Sequence, residues 1–246
     1  MILFSPEYIE YTLMGIILLP GIIFSIITSA KVNSTFNKYN QVLSSKMITG
    51  AECVKRILAH SGISNVQVVR SGDSELVDNF NPSTNVITLS SRVYDGTTIS
   101  ALGVAAHETG HAIQYAKNYA PIKIRTVLAK TSTVISNLVW PLILMGIIFN
   151  FALAGGLWGN LFLWLGVGFF GLSLIFSLIT LPVELDASKR ALTLLVETGC
   201  VDEMEVKGAK KVLSSAALTY VAAIVVSVLE LLRFLLFFII NSKKDD

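Results

Sequence analysis

The chain has 246 residues, of which 53% are apolar and 15% charged, with a formal net charge of +2. An ordinary soluble domain carries roughly 25% charged residues, and a globule of this length lacks the interior to hide so much apolar surface. With a mean hydropathy of +0.66, collagenous, disordered, disulfide-rich and coiled-coil classes are excluded, and the charge is too small to argue for a nucleic-acid partner. The expectation is an α-helical membrane protein with a modest water-facing part. Cys53 and Cys200 make neither a disulfide framework nor a CxxC site, which fits a reducing compartment.

In chain order, residues 11–30 carry no charge. About 20 such residues cross the ~30 Å of hydrocarbon in a bilayer, so residues 1–30 are read as an N-terminal transmembrane helix. Pro20-Gly21 predicts a kink or a loosened turn inside it. A signal peptide is the rival reading, but Glu7 and Glu10 stand where a basic region would precede it.

Residues 31–130 read as a small α+β domain. Thr49-Gly50-Ala51-Glu52 is a capping box opening a short helix over Val54, Ile57 and Leu58, and Gly62 is placed to stop it. Residues 65–70 and 86–89 are β-rich, and residues 75–80 can form a further strand. Residues 81–85 (NPSTN) form a turn. The expected sheet is small and antiparallel. Asp95-Gly96 breaks the chain, and Thr97 or Thr98 can cap a helix over about 98–117.

That helix contains His107-Glu108-Thr109-Gly110-His111, an HExxH pattern. Residues i and i+4 of a helix lie one turn apart on one face. Two imidazoles so placed can bind one Zn²⁺ through nitrogens at about 2.0–2.1 Å. Glu108 sits one step round the helix, where it reaches a water on that ion and can take its proton. Gly103, Ala105, Ala106, Gly110 and Ala112 are small enough for close packing beside the ion. A helical glycine costs about 1 kcal/mol relative to alanine, so packing must favour the two glycines.

A catalytic zinc takes three protein ligands and keeps one position open. His60 and Glu184 are the candidates for the third. His60 ends a short helix, where it suits the helix dipole, and reads as structural. Residues 131–183 hold no charge at all, enough for a transmembrane hairpin of two helices turning at residues 154–160. Glu184 is the first charge after it, and a carboxylate there is costly unless it has a partner. It is the favoured third ligand, with an N-cap role after Pro182 as the alternative. Ser188, at i+4, shares its face and could brace a ligand, whereas Asp186, at i+2, should point away. Residues 184–211 are read as a helical segment carrying this ligand. Residues 212–240 are read as a C-terminal transmembrane helix, apolar except for Glu230 and Arg233 at i,i+3.

About four crossings place residues 31–130 and 184–211 on one side of the membrane. Those segments hold 16 of the 19 Lys/Arg residues. The charge bias therefore predicts a multi-pass protein of the plasma membrane with its polar domain in the cytoplasm.

The segments VAAHETGHAIQ and LPVELDASKRA, separated by a membrane hairpin, resemble those of the YugP-type membrane zinc metallopeptidases. These in turn are similar to the HtpX and CAAX-protease group of gluzincins. The resemblance implies a gluzincin-like metalloprotease domain at the membrane surface. It implies one catalytic Zn²⁺ on His107, His111 and Glu184, with Glu108 as catalytic base. It further implies a polypeptide substrate, membrane proteins among them, and an edge strand upstream of the HExxH helix that pairs with substrate. Residues 78–80 or 86–89 would be that edge. Serine stands at position 188 where the HtpX group carries aspartate. Arg190 and Tyr94 are candidate oxyanion donors. Two rivals remain: an intramembrane-cleaving zinc protease, and a non-catalytic membrane scaffold with or without zinc.

Overall fold

The computed structural model describes residues 15–72, 77–152 and 157–242. The fold is mostly helical with one small sheet. In order it comprises α1 (Leu19–Tyr39), α2 (Gly50–His60), β1 (Gln67–Arg70), β2 (Asn79–Asn81), β3 (Val86–Leu89), α3 (Ser91–Tyr94), α4 (Ile99–Ala116), α5 (Ala120–Ala152), α6 (Leu157–Glu197) and α7 (Val206–Ser242). The chain divides into two compact units, one of Thr28–Ile124 with Thr180–Thr219, the other of Met1–Ile27, Arg125–Ile179 and Tyr220–Asp246.

In the first unit the local signals act as expected. Thr49 caps α2 by accepting the Glu52 backbone N–H at 3.2 Å. Gly62, at φ +68°, ends it in a Schellman turn, with Gly62 N–H on Ala59 O and Ile63 N–H on Leu58 O. Thr98 caps α4 through the Ala101 N–H. The turn after β2 is held by Asn81 Oδ1 accepting from Ser83 N–H, and Asn85 takes φ +54°.

The sheet corrects one expectation. Its order is β1-β3-β2, with β1 parallel to β3 and only β2 antiparallel to it. After β1 the chain runs to the far edge, makes β2, and the tight turn sends β3 back between the two. Hence β3 (86–89) is central and cannot be an edge, while β2 is one. Asp78 fastens the start of β2 by accepting from the backbone N–H and the hydroxyl of Ser90, at 2.8 and 3.0 Å.

Helix α4 lies at the centre of this unit. On one side Ile99, Leu102, Ala106 and Ile113 pack with Ile57, Leu195 and Leu213. On another, Ala105 and Ala112 pack with Val54, Leu58, Ile87, Leu89 and Val93. These side chains are fully buried or nearly so. Burying each large one contributes about 1.5–3 kcal/mol, so α4 is the best-anchored element of the unit.

Helix α6 is continuous through Pro182 and Glu184. Glu184 therefore sits in a helix interior and is not an N-cap residue. The proline removes one backbone donor, yet the helix carries on for four further turns.

In the other unit, Val139, Ile143, Leu163, Val167 and Phe234 form a core. Gly146 meets Leu163 and Gly166 meets Ile143, so each glycine admits a branched side chain of the facing helix. Glu230 and Arg233 form an ion pair at 2.7 Å. Many large apolar side chains face outward, among them Trp140, Leu144, Trp158, Trp164, Ile175 and Leu178. Among the described residues, α6 and α7 are long and apolar enough to cross a membrane, each with mean hydropathy 2.2 over the best window. The apolar stretch of α5, Asn137–Phe149, is shorter. Pro20 lies in the first turn of α1, just after a turn at Ile17–Leu18. The rest of the expected N-terminal crossing, residues 1–14, lies outside the described residues, as do residues 154–156 of the expected turn; its residues 157–160 are helical and open α6.

Candidate metal centre

Two local features of α4 and one of α6 build the site. The i,i+4 spacing sets His107 and His111 edge to face, with ring centroids 4.7 Å apart. Gly110 lets α6 come close, since a Cβ there would lie 2.6 Å from the Ala187 carbonyl oxygen. That approach delivers Glu184, which is only 3% exposed, onto the histidine pair. Gly103 is different: a Cβ there meets only Ala209, at 3.6 Å.

Glu184 Oε2 lies 3.1 Å from His107 Nε2 and 3.6 Å from His111 Nε2. One ligand atom from each of the three residues fits within 4.8 Å of the others. Tetrahedral zinc with bonds of 2.0–2.1 Å has ligand–ligand edges of about 3.3 Å, between the two observed distances. His60 is elsewhere, 3.6 Å from Glu197 and half exposed.

The hydrogen bonds behind the histidines test whether a cation belongs there. Gln114 Nε2 donates to Val183 O and to Asp186 Oδ2, both at 2.8 Å. Both partners can only accept, so the amide orientation is settled. Gln114 Oε1 must then accept from His111 Nδ1–H, at 3.0 Å. In neutral His111 the lone pair is therefore on Nε2 and faces the Glu184 carboxylate. Two electron-rich atoms face each other there, and a bound cation resolves the conflict. His107 Nδ1 meets Ser188 Oγ at 3.1 Å, which turns its Nε2 the same way. The residues present thus fit a metal held by two imidazoles and a carboxylate.

Electrostatics agree with this division of labour. Burial alone would raise the Glu184 carboxyl, but hydrogen bonds and positive charge from His107 and His111, when these imidazoles are protonated, outweigh it and hold the group well below the usual carboxylate range. Glu108, half-buried, is pushed the other way, to about 7. Desolvation is the main cause, with the charges of Glu184 and Asp78 adding to it, against the pull of His107 and the Phe80 backbone N–H. A carboxylate poised near neutrality suits proton transfer in both directions. It also stands beside the edge strand β2, to which Phe80 belongs.

Ser188 lies where the i+4 spacing put it. Gln114 and Asp186 were not legible as participants, although Gln114 lies at i+3 from His111 and i+7 from His107, on the same face. Asp186 is drawn into the site because Gln114 reaches across to it. Arg190 pairs with Asp186 at 2.6 Å, one turn away on α6. It buttresses the Asp186–Gln114–His111 chain through its Nε–H and, at 3.4 Å, one terminal N–H. Tyr94 packs on the cluster around Ile87 and Leu89.

The comparisons with known proteins point the same way. The sequence pattern of the family described as "Putative neutral zinc metallopeptidase" matches residues 14–239. The chain is similar to a Bacillus subtilis (strain 168) protein named "Putative membrane protease YugP", with 42% identity over 219 residues, covering 88% of this chain and 92% of the relative. No solved structure matches. With nearly the whole length matched, and a His/His/Glu cluster where the family's name calls for zinc, the chain belongs to this family of neutral zinc metallopeptidases.

Proposed function

We propose that this protein is a membrane-embedded zinc metalloendopeptidase. His107, His111 and Glu184 would hold one Zn²⁺, and Glu108 would act as general base. The observation that carries this is the meeting of three ligand-type side chains from α4 and α6, with Glu108 beside them. Zinc, when bound, lowers the pKa of a water and polarises the scissile carbonyl. Glu108 accepts the water proton and passes it to the leaving amine. Gln114 holds His111 in the ligating tautomer, and the Ser188 hydroxyl, which can accept from His107 Nδ1–H, orients the other imidazole. Strand β2, which has no further strand on its outer side among the described residues, offers its backbone to an extended polypeptide leading past Glu108.

The membrane part of the proposal has α1, α5, α6 and α7 as four crossings, in the expected order: an N-terminal helix in 1–30, a hairpin in 131–183, and a C-terminal helix in 212–240. Residues 31–130 and 184–211 would lie on the cytoplasmic side, as the Lys/Arg bias implies. The outward apolar side chains of α6 and α7 support this, as does the name of the relative. Membrane or membrane-associated proteins are the substrates such a placement favours.

The test is zinc content and peptide hydrolysis of the purified protein beside Glu184→Ala and Glu108→Ala. One tight zinc in wild type and Glu108→Ala, lost in Glu184→Ala, with turnover only in wild type, is expected. Full zinc retention in Glu184→Ala would remove it from the ligand set. Zinc binding with no turnover in wild type on any polypeptide would favour a scaffold.

A further inference from the structure

In the unit of Thr28–Ile124 with Thr180–Thr219, the parts of α1 and α7 that belong to it bear stripes that the peptidase reading leaves unused. On α1, Lys31, Thr35 and Lys38 recur at i, i+4 and i+7, one face of a helix. On α7, Lys211 is followed by Ser214 and Ser215 one turn on. These six side chains line one cavity of about 370 Å³. No acidic side chain lines it. Helix α1 contains no acid, and α7 contains none before Glu230. Of the acids just ahead of α7, Asp202 pairs with Lys46 at 2.8 Å, Glu205 accepts from Ser44 and Ser45, and Glu203 lines a different cavity. Among the described residues, Lys38 Nζ lies 5.8 Å from the Tyr39 ring centre and has no acidic partner. Three ammonium groups and three hydroxyls thus converge on a space with nothing anionic in it. Like charges repel across such a space unless an anion sits among them.

The position along the chain says which anion. Lys31 is the first charge after the uncharged residues 11–30, and Lys211 is the last before the uncharged residues 212–229. Both therefore mark the end of a hydrocarbon-length segment, which is the depth of lipid phosphates. We propose that the Lys31/Lys38/Lys211 cavity binds the headgroup phosphate of an anionic phospholipid. The three lysines neutralise the phosphate, and the Thr35 and Ser214 hydroxyls are placed to donate to its oxygens, while the Ser215 hydroxyl is engaged with Val212 O at 2.7 Å. This inference rests on the membrane reading above and is independent of the metal site.

The experiment uses full-length, zinc-loaded, delipidated protein in a neutral detergent. Melting temperature is followed while phosphatidylglycerol, phosphatidylcholine or inorganic phosphate is added, and bound lipid is counted by native mass spectrometry. Phosphatidylglycerol should raise the melting temperature and bind one-to-one, with phosphatidylcholine and phosphate inert. In the triple variant K31Q/K38Q/K211Q the affinity should fall on the order of 100-fold, a few-fold per basic residue. The arginine triple variant K31R/K38R/K211R should keep it, which separates lost charge from a damaged fold. Equal effects of the two lipids, or an unchanged glutamine variant, would overturn the assignment. An equal shift from inorganic phosphate alone would make this a free-anion site and overturn the lipid. Release of the wild type from membranes by alkaline carbonate would refute the membrane reading and the lipid site with it. Retention on the membrane with no lipid preference would refute the site alone.

Discussion

Gly110 is where helix packing and metal binding meet, so Gly110→Ala is the most informative single change. The added Cβ would stand 2.6 Å from the Ala187 carbonyl oxygen, against backbone that cannot swing aside. Ordinary contact begins at 3.4 Å, so α6 must retreat by about 0.8 Å (3.4 less 2.6) at that point. Overpacking of this kind costs about 1–3 kcal/mol, of which the better helix propensity of alanine returns about 1. The net loss of stability is therefore small, about 0–2 kcal/mol. The loss at the site is larger, because Glu184 is one turn from Ala187 and His111 follows Gly110 directly. Functional constellations tolerate about 0.5 Å, and a misplacement of about 1 Å costs on the order of 100-fold. Gly103→Ala is the matched control. Its Cβ would make ordinary contact with Ala209 at 3.6 Å, so it should be neutral or stabilise by up to about 1 kcal/mol. Zinc affinity is measured by competition with a chromophoric chelator, and stability by melting in detergent. Wild-type zinc affinity in Gly110→Ala, or equal damage from the two substitutions, would refute the argument that this glycine sets the distance between α4 and α6.

Gln114→Leu removes the acceptor on His111 Nδ1 and the donor to Val183 O and Asp186; zinc affinity should fall about 10–100-fold, and an unchanged affinity in the chelator competition would show that the amide does not orient the histidine. Glu108→Gln should retain zinc while peptide hydrolysis falls by about 100-fold or more; loss of metal together with turnover would place Glu108 among the ligands instead. Acid sensitivity is expected from Glu205. Burial raises its carboxyl, but hydrogen bonds from the backbone N–H groups of Asp202 and Ser45 and from the Ser44 and Ser45 hydroxyls outweigh it and leave it lowered. A lowered carboxylate stabilises the fold above its unfolded value of about 4.3, and the contribution fades as pH falls through the folded value. The melting-temperature gap between wild type and Glu205→Gln should therefore be widest near neutrality and close below about pH 4; a gap that widened on acidification would contradict the hydrogen bonding described.

The parts of this molecule that could be read from sequence are those governed by short spacings. The i,i+4 histidines, the Thr49 and Thr98 caps, the Gly62 stop and the Glu184–Ser188 step each depend on one turn of helix, and all appear where the spacing put them. What escaped depends on contacts across the fold. The parallel pairing of β1 with β3 is decided by where the chain goes between them. Gln114 becomes a partner of Asp186 only because α4 and α6 pack together, 72 residues apart in sequence. Pro182 suggested a helix start before Glu184, but the helix is nucleated far upstream and absorbs it.

The 77 residues that separate His107 from Glu184 also set an order of events during synthesis. Chains fold from the N-terminus as they emerge, at about 5–20 residues per second. A nascent chain that ends anywhere before Glu184 holds the two histidines and Glu108 but lacks the carboxylate that completes the cluster. On the reading proposed above, the proteolytic centre stays unassembled until the apolar length of α5 and the first two-thirds of α6 has been made and delivered. Latency would then need no propeptide, because the cluster of hydrolytic residues closes last.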